Sequence, residues 1–389
     1  MAANLGESKD SFRLGTTQLA ASMLGVGLDV LIQRESKRRR RRLQLITASA
    51  LVFSGLMGAT ALTAIDARND AQDSRSQAEG LVEYMITDLK EKLEPLGKLD
   101  ILDSVGDEAV KYYDTHNIKD LSDESLIRQA SARHILGQVA LDSGNLAKAR
   151  HEIETAANLT AEVLKRNPQD SEAIYSHAQS EYWVGKTYFD QKDYPTTLIH
   201  WSRYNDLAQT NFLKNQSKFE WRLEAGYGEN NLGILEFQLG NFDQALFRYK
   251  NAIKLHEDTA SMFPKKPIIH LQKANALSGA AQTALILGDI ETALLFRKKQ
   301  IMIYDKVLVQ DSDNIPLIYR RTNAQAKIIR DGLLIKDSKA YLEMTTQVQK
   351  SFERLIAHDK QNKRYLSQYE AFIKTINQIN VRDLSKVPD

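Results

Sequence analysis

The chain has 389 residues, with 52 Lys and Arg against 50 Asp and Glu, and no cysteine. This near balance of charge argues against a nucleic-acid-binding domain, because such domains are strongly basic. The absence of cysteine excludes disulfides and thiolate metal sites, and it is compatible with either side of a membrane.

The first 36 residues carry one or two short amphipathic stretches, and a basic run follows at residues 37–42. Two interpretations remain open for this segment. It is either the last helix of a larger cytoplasmic module or a single helix on the membrane surface, held there by the basic run.

The stretch from Leu43 to Ile65 has no charged residue and is long enough to cross the hydrocarbon layer as a helix. Basic residues stay cytoplasmic, whereas Asp66 and Asp70 follow the apolar stretch. We therefore expect a single-pass protein of the bacterial inner membrane, with residues 1–36 in the cytoplasm and the C-terminal part in the periplasm. The alternative is a signal peptide cleaved near Ala64, but its leader would be unusually long.

Three small residues, Ala50, Ser54 and Gly58, lie four positions apart on one face of this apolar stretch. Such spacing supports helix dimerisation in membranes, which predicts a homodimer through the transmembrane helix. The alternative interpretation is a membrane helix that is simply rich in Ala and Gly.

Residues 66–121 predict a helical stalk that ends in a hairpin. A long helix should continue to about residue 94, where the sequence Pro95-Leu96-Gly97 breaks it. A second amphipathic helix is expected from about Leu99 to Tyr113.

Beyond residue 122 one turn recurs at positions 144, 192, 240, 288 and 336, so that each step is 48 residues. A Gly or Lys followed by Asn or Asp ends one helix in a left-handed conformation and caps the next. The turns are Gly144-Asn145, Lys192-Asp193, Gly240-Asn241, Gly288-Asp289 and Lys336-Asp337.

Small residues recur in phase with these turns and let paired helices cross closely. Seven positions before the turn stand Gly137, Gly185, Gly233 and Ala281, and five positions after it stand Ala149, Thr197, Ala245 and Ala293. The pattern predicts an all-α solenoid of about five helix-turn-helix repeats over residues 122–389. The fifth repeat has Ile329 at the small position, and we expect it to form a solvent-facing cap.

The repeat resembles the tetratricopeptide (TPR) family, in which Leu-Gly on the first helix is followed by Gly-Asn and then Ala across the turn. Leu136-Gly137 with Ala149 and Leu232-Gly233 with Ala245 carry this resemblance most clearly. TPR units have about 34 residues, so the present helices should be longer.

Residues 80–100 are similar to a juxtamembrane segment of proteobacterial TPR proteins. Those proteins are often fused to a cytoplasmic Toll/interleukin-receptor-like or winged-helix effector. The resemblance implies a sensor or signalling arrangement, in which this chain would be a regulatory fragment that controls a cytoplasmic effector.

Sequence motifs for chemistry are absent. The chain has no phosphate-binding loop, nucleophile elbow or dinucleotide fingerprint, and its eight His residues fall at unrelated phases of the repeat. We therefore expect no enzymatic activity, no cofactor and no metal site.

A protein or peptide ligand in the concave groove is the expected partner, because stacked helix pairs line such a groove with their first helices. The TPR register implies groove positions ten and six residues before each turn, among which Lys186, Asn230 and Arg330 resemble a clamp for a peptide carboxylate. The predicted groove residues are His134, Gln138, Tyr182, Lys186, Asn230, Ile234, Ser278, Gln282, Ala326 and Arg330.

The sequence as a whole thus predicts a membrane-anchored scaffold or sensor with an extracytoplasmic TPR-like domain. Its domains are expected at residues 1–36, 37–65, 66–121 and 122–389. A signalling fragment and a secreted soluble adaptor are the alternatives.

Overall fold

The computed structural model describes residues 9–93, 99–114, 118–332, 341 and 343–384. The chain divides into two compact units, Met1–Ala78 and Glu79–Asp389. The predicted break at residues 95–97 and the turn at residues 336–337 lie outside the described residues.

The first unit consists of α1 (Lys9–Leu24) and the beginning of α2 (Leu28–Leu93). Gly25 separates the two helices with a φ of 64°, a conformation that glycine adopts without strain. Within α2, the segment Ser36–Asp88 is the one described segment that is long and apolar enough to cross a membrane. Its large apolar side chains are exposed, with Leu51 73% and Phe53 66% accessible.

The second unit is a stack of antiparallel helix pairs. After the end of α2 come α3 (Leu99–Asp114) and a short 3-10 turn (Ile118–Asp120). The pairs are α4 (Asp123–Asp142) with α5 (Leu146–Arg166), α6 (Ser171–Asp190) with α7 (Tyr194–Lys214), α8 (Phe219–Gln238) with α9 (Phe242–Met262), and α10 (Pro267–Ile286) with α11 (Ile290–Leu308). The stack ends with α12 (Ile315–Gly332), α13 (Thr345–His358) and α14 (Lys363–Leu384).

The described inter-helix turns have the predicted geometry. Gly144, Gly240 and Gly288 have φ values of 79°, 80° and 81°, and Lys192 adopts the same left-handed region with a φ of 62°. The next residue caps the following helix at three of these turns. Asn145 accepts a hydrogen bond from the amide of Lys148, Asp193 from Thr196, and Asp289 from Thr292.

The small residues on the first helices form notches for large side chains of the second helices. A methyl group added to Gly137 would collide with Ile153, one added to Gly185 with Trp201, and one added to Gly233 with the Tyr249 ring at 2.9 Å. The residue that fills each notch lies 16 positions later, as in 153 minus 137. Steric fit at these notches therefore fixes how each pair crosses.

The far end of the stack differs from the expectation for the fifth repeat. Ile329 is completely buried in a cluster with Val348 and Phe352 of α13 and Phe372 of α14. The fifth repeat therefore does not form the end of the stack as expected, because α14 packs against α12 and α13 beyond it. The all-α solenoid itself is confirmed.

Candidate functional site

The first helices of successive pairs line the inner surface of the stack. Direct contacts join α4 to α6 and α8 to α10, in addition to the contacts within each pair. This arrangement is the usual consequence of helix pairs stacked with a constant rotation, and it creates an extended concave surface.

One cavity of this surface, which we call the polar groove, has a volume of about 460 Å³. It lies among α8, α10 and α12, with side chains from α9, α11 and α14 completing it. It is lined by Asn230, Ile234, Tyr249, Asn275, Ser278, Gly279, Gln300, Tyr304, Tyr319, Arg320, Asn323, Ala324, Lys327 and Arg364.

Carboxamides form one wall of the polar groove. Asn275 and Asn323 occupy the same repeat position, since 323 minus 275 is 48, and Asn230 stands on the preceding first helix. Each carboxamide presents two donors and one acceptor. A ladder of such groups can pair with the peptide N–H and C=O groups of an extended chain.

Three cations, Arg320, Lys327 and Arg364, face the polar groove, and no carboxylate is among its lining residues. Within the described part of the chain, none of the three makes an ion pair shorter than 4 Å. The guanidinium carbon of Arg364 lies 5.4 Å from the centre of the Tyr319 ring. The groove therefore carries positive charge that no ion pair among the described residues compensates.

The charge environment of Lys327 raises the free energy of its ammonium group. Burial lowers its pKa, and the neighbouring Arg297 and Arg330 add to that effect. Asp331 acts in the opposite direction, but its carboxylate is engaged elsewhere. Its Oδ2 lies 3.4 Å from Nε of Arg297, and its Oδ1 accepts hydrogen bonds of 2.9 and 2.7 Å from Arg330. An anion bound beside Lys327 would relieve this unfavourable environment.

The predicted groove cations have partners on their own helices. Lys186 donates to Asp190, with 2.6 Å between Nζ and Oδ1, and Arg330 is paired with Asp331 as described. Of the three residues likened to a carboxylate clamp, Asn230 alone lines the polar groove. Two other predicted groove residues, Ile234 and Ser278, line it as well.

The remaining predicted residues are wholly or partly covered. His134 is 9% exposed, and burial lowers its pKa to about 4. Tyr182 packs against Trp201, with ring centres 6.3 Å apart. Gln138, Gln282 and Ala326 are half-buried on α4, α10 and α12.

Sequence reasoning did not find the cations of the polar groove. For the carboxamide wall, the sequence did contain a signal, because Asn275 and Asn323 are one repeat apart. Arg364 had no such signal. It belongs to α14, outside the repeat pattern, and only packing of that helix against α12 brings it to the groove.

A second polar cluster, the His–Glu cluster, lies between α6 and α7. Glu181 accepts from His200 at 2.6 Å and lies 3.4 Å from His177. Burial alone would raise the pKa of Glu181, but the hydrogen bonds and charges of the two histidines outweigh it and lower this pKa to about 2. Among the described residues, no group of His, Asp and Glu has the geometry of a metal site.

Solved structures share the fold of this chain at low sequence identity. The S. pombe nuclear import adaptor Nro1 matches with a TM-score of 0.51 and 11% identity, covering 77% of this chain and 99% of that one. BtubC (BKLC) from P. vanneervenii matches with a TM-score of 0.50 and 11% identity, covering 66% and 92% of the two chains.

A tetratricopeptide repeat protein from Parabacteroides merdae matches with a TM-score of 0.40 and 15% identity, covering 75% of this chain and 84% of that one. No family sequence model and no curated protein sequence matches the chain. The stacked antiparallel helix pairs of the chain form a TPR-like solenoid, a fold that it shares with the two solved structures at TM-scores of 0.51 and 0.50.

Proposed function

We propose that this chain is a protein-binding scaffold that holds an extended acidic segment of its partner in the polar groove. The observation that carries the proposal is the combination of three cations with no lining carboxylate. A partner that supplies Glu or Asp side chains would form charge-assisted hydrogen bonds with the guanidinium groups, which are the stronger kind.

The shape and polarity of the groove favour an extended peptide over a compact ligand. The groove crosses three first helices, α8, α10 and α12. Because the axes of packed helices lie about 8–10 Å apart, this path is about 16–20 Å long, which is the length of a strand of about five residues. Asn275 and Asn323 stand along this path. Their carboxamides would pair with the peptide backbone, while Arg320 and Lys327 would select acidic side chains.

The experiment compares two double charge reversals with the same net change. Arg320→Glu with Arg364→Glu alters exposed side chains of the polar groove, whereas Lys265→Glu with Lys360→Glu alters exposed side chains outside it. Binding of a fluorescent glutamate-rich peptide is measured by anisotropy. We expect the groove variant to lose at least about tenfold in affinity, equivalent to about 1.4 kcal/mol, and the control to lose much less.

Equal weakening in both variants would show that the peptide responds only to overall charge, and it would remove the groove from the proposal. Circular dichroism of both variants establishes that they are folded. We expect both variants to be folded, because all four substituted residues are exposed and Arg320 and Arg364 make no ion pair with the described residues.

The location of this scaffold is the second part of the proposal. The apolar stretch from Leu43 to Ile65 would anchor the chain in the inner membrane, and the basic run before it would place the repeats in the periplasm. The segment Ser36–Asp88 has the necessary length and composition. A sensor would then present the polar groove to partners outside the cytoplasm.

Proximity labelling in intact cells tests this location, with the labelling enzyme fused after Asp389 in one strain and before Met1 in another. Periplasmic proteins labelled from the C-terminal fusion are the expected result. Cytoplasmic proteins labelled from that fusion would reverse the orientation and make the chain an internal assembly platform.

A further inference from the structure

The outer surface of the stack carries an apolar row that the proposed groove does not use. Ile199, Phe247 and Leu295 occupy one repeat position on α7, α9 and α11, since each is 48 residues from the next. Their side chains are 54%, 55% and 50% exposed. Single exposed apolar side chains are common on protein surfaces, whereas an exposed apolar row that recurs in three repeats marks an interaction surface.

Lysines surround this row on α9 and α11. On α9, Lys250 and Lys254 lie one and two helical turns after Phe247. On α11, Lys298 lies one turn after Leu295, and Met302, which is 69% exposed, lies one turn further on. We call these six residues, Phe247, Lys250, Lys254, Leu295, Lys298 and Met302, the basic outer face.

The lysines of the basic outer face form no ion pairs with the described residues around them. None of its three lysines makes an ion pair within 4 Å, and the same holds for Lys299 and Lys306 beside it. Two carboxylates lie near these lysines. Hydrogen bonds from Thr292, with a smaller contribution from Lys250, lower the pKa of Asp289, and Glu257 is paired with Lys273 at 2.9 Å.

We propose that the basic outer face docks on the anionic surface of a lipid bilayer. Helices that lie on membranes combine Phe and Leu, which enter the boundary of the acyl chains, with Lys, whose stems let the ammonium groups reach the headgroups. The basic outer face has this composition on two neighbouring repeats. It lies on α9 and α11, the second helices of their pairs.

Two other binding partners fit the basic outer face less well. A second copy of the chain would set lysines against lysines across the contact, and like charges oppose association. A protein partner would be expected to bury a central apolar cluster, and lysine is depleted from such interfaces. Here Phe247 is on α9, whereas Leu295 and Met302 are on α11 with Lys298 between them.

The inference does not depend on what the polar groove binds. It requires a bilayer within reach, which the proposed anchor would supply. Each lysine near an anionic surface should favour the docked state by roughly fivefold. Docking should therefore weaken steeply as salt is added, because the Debye length shortens.

The test uses the absence of native cysteine, so that a single introduced cysteine carries the only thiol-linked probe. Phe247→Cys in the full chain is labelled with an environment-sensitive fluorophore. The protein is reconstituted into vesicles of phosphatidylcholine alone or of phosphatidylcholine with phosphatidylglycerol. We expect a blue-shifted emission and quenching by spin-labelled lipid only in the anionic vesicles, and reversal of both by salt.

His151→Cys is the matched control, because His151 is exposed at the same repeat position of α5, where Glu154 and Asn158 replace the lysines. Its probe should report water in both kinds of vesicle. In the labelled Phe247→Cys protein, adding Lys250→Glu and Lys298→Glu should abolish the blue shift.

Three results would overturn the proposal. They are an unchanged Phe247→Cys probe in anionic vesicles, an equal response from His151→Cys, or a shift without lipid that grows with protein concentration and so indicates a second copy. Flotation of the chain with neutral vesicles separately tests the anchor. A chain that does not float with neutral vesicles would contradict the anchor. A chain that floats, but whose Phe247→Cys probe does not respond in anionic vesicles, would contradict docking alone.

Discussion

Lys192 occupies a backbone conformation that glycine occupies at the other described inter-helix turns of the repeat. Its φ of 62° compares with 79° at Gly144 and 80° at Gly240. A side chain in the left-handed region costs about 1–2 kcal/mol, and the greater freedom of glycine in the unfolded chain offsets part of this. Lys192→Gly should therefore raise the free energy of unfolding by up to about 1 kcal/mol in urea denaturation.

The reverse substitution provides the control for this prediction. Gly240→Lys should lower the free energy of unfolding by a similar amount, because Gly240 has open space around it and only its backbone conformation opposes a side chain. A loss of stability on Lys192→Gly would mean that Lys192 contributes an interaction that outweighs the strain of its conformation.

His256 links the stability of the fold to pH. It is completely buried against Gly226, and neither ring nitrogen has a hydrogen-bond partner. Burial, aided by Lys273, lowers its pKa to about 4 from an ordinary value of 6.5. Protons therefore bind the unfolded chain more tightly. The stabilisation is present above pH 6.5 and is lost as the pH falls from 6.5 through 4.

His256→Met should remove this dependence. The difference in the free energy of unfolding between pH 7 and pH 5 should shrink by about 2 kcal/mol, as urea denaturation at the two pH values would show. The exposed His151 supplies the comparison, since His151→Gln should leave the difference unchanged. An equal change in the two variants would exclude burial of His256 as the cause.

At the scale of the helix pair, three consecutive repeats place a buried ionic contact at the same position. Arg133 contacts Glu152 at 2.7 Å, Glu181 contacts His200 at 2.6 Å, and Glu229 contacts Arg248 at 3.1 Å. The two members are 19 residues apart in every case. The acidic member is on the second helix in the first repeat and on the first helix in the other two.

Because the acidic and basic members exchange helices between repeats, we predict that the first pair tolerates an exchange of its two side chains. Arg133→Glu alone should lower the free energy of unfolding by about 3–5 kcal/mol, because it leaves two carboxylates facing each other in a buried site. Adding Glu152→Arg should recover most of the loss, since α8 and α9 already hold that arrangement. A double-mutant cycle measures the coupling. A double variant no more stable than Arg133→Glu would show that the surroundings of Arg133 fix the polarity.

At the scale of the whole molecule, both ends of the stack are covered by helices outside the predicted turn pattern. Phe372 of α14 is 3% exposed and lies 5.7 Å from Phe352, measured between ring centres. Its replacement by Ala should cost about 3–5 kcal/mol. Because each repeat of a solenoid contacts only its neighbours, hydrogen exchange should accelerate in α12 to α14 and remain slow in α4 to α7.

The same variant should weaken the binding of an acidic peptide, since α14 supplies Arg364 to the polar groove. Tyr113→Ala provides the comparison from the other end, where Tyr113 is 2% exposed beside Ile86. It should accelerate exchange in α3 and α4 without changing peptide affinity. Acceleration throughout the stack in either variant would indicate a single cooperative unit.

The solenoid could be predicted from the amino-acid sequence, because its signals are local and repeat. The left-handed turn residue, the cap that follows it and the small residue seven positions earlier, such as Gly233, each act within one helix pair. Four equal steps of 48 residues then required the pairs to stack. The steric reason for the small residues is visible in the notch that Tyr249 fills.

Packing between helices determines which charged groups are available to a ligand, and this could not be predicted from the sequence. Lys186 and Arg330 are engaged by Asp190 and Asp331, whereas Lys327 and Arg364 face the polar groove. The availability of a charge depends on neighbours brought together by packing, and residues from α12 and α14 share no sequence period. Local pattern therefore fixed the fold of this chain, whereas contacts between helices determined where its surface carries uncompensated charge.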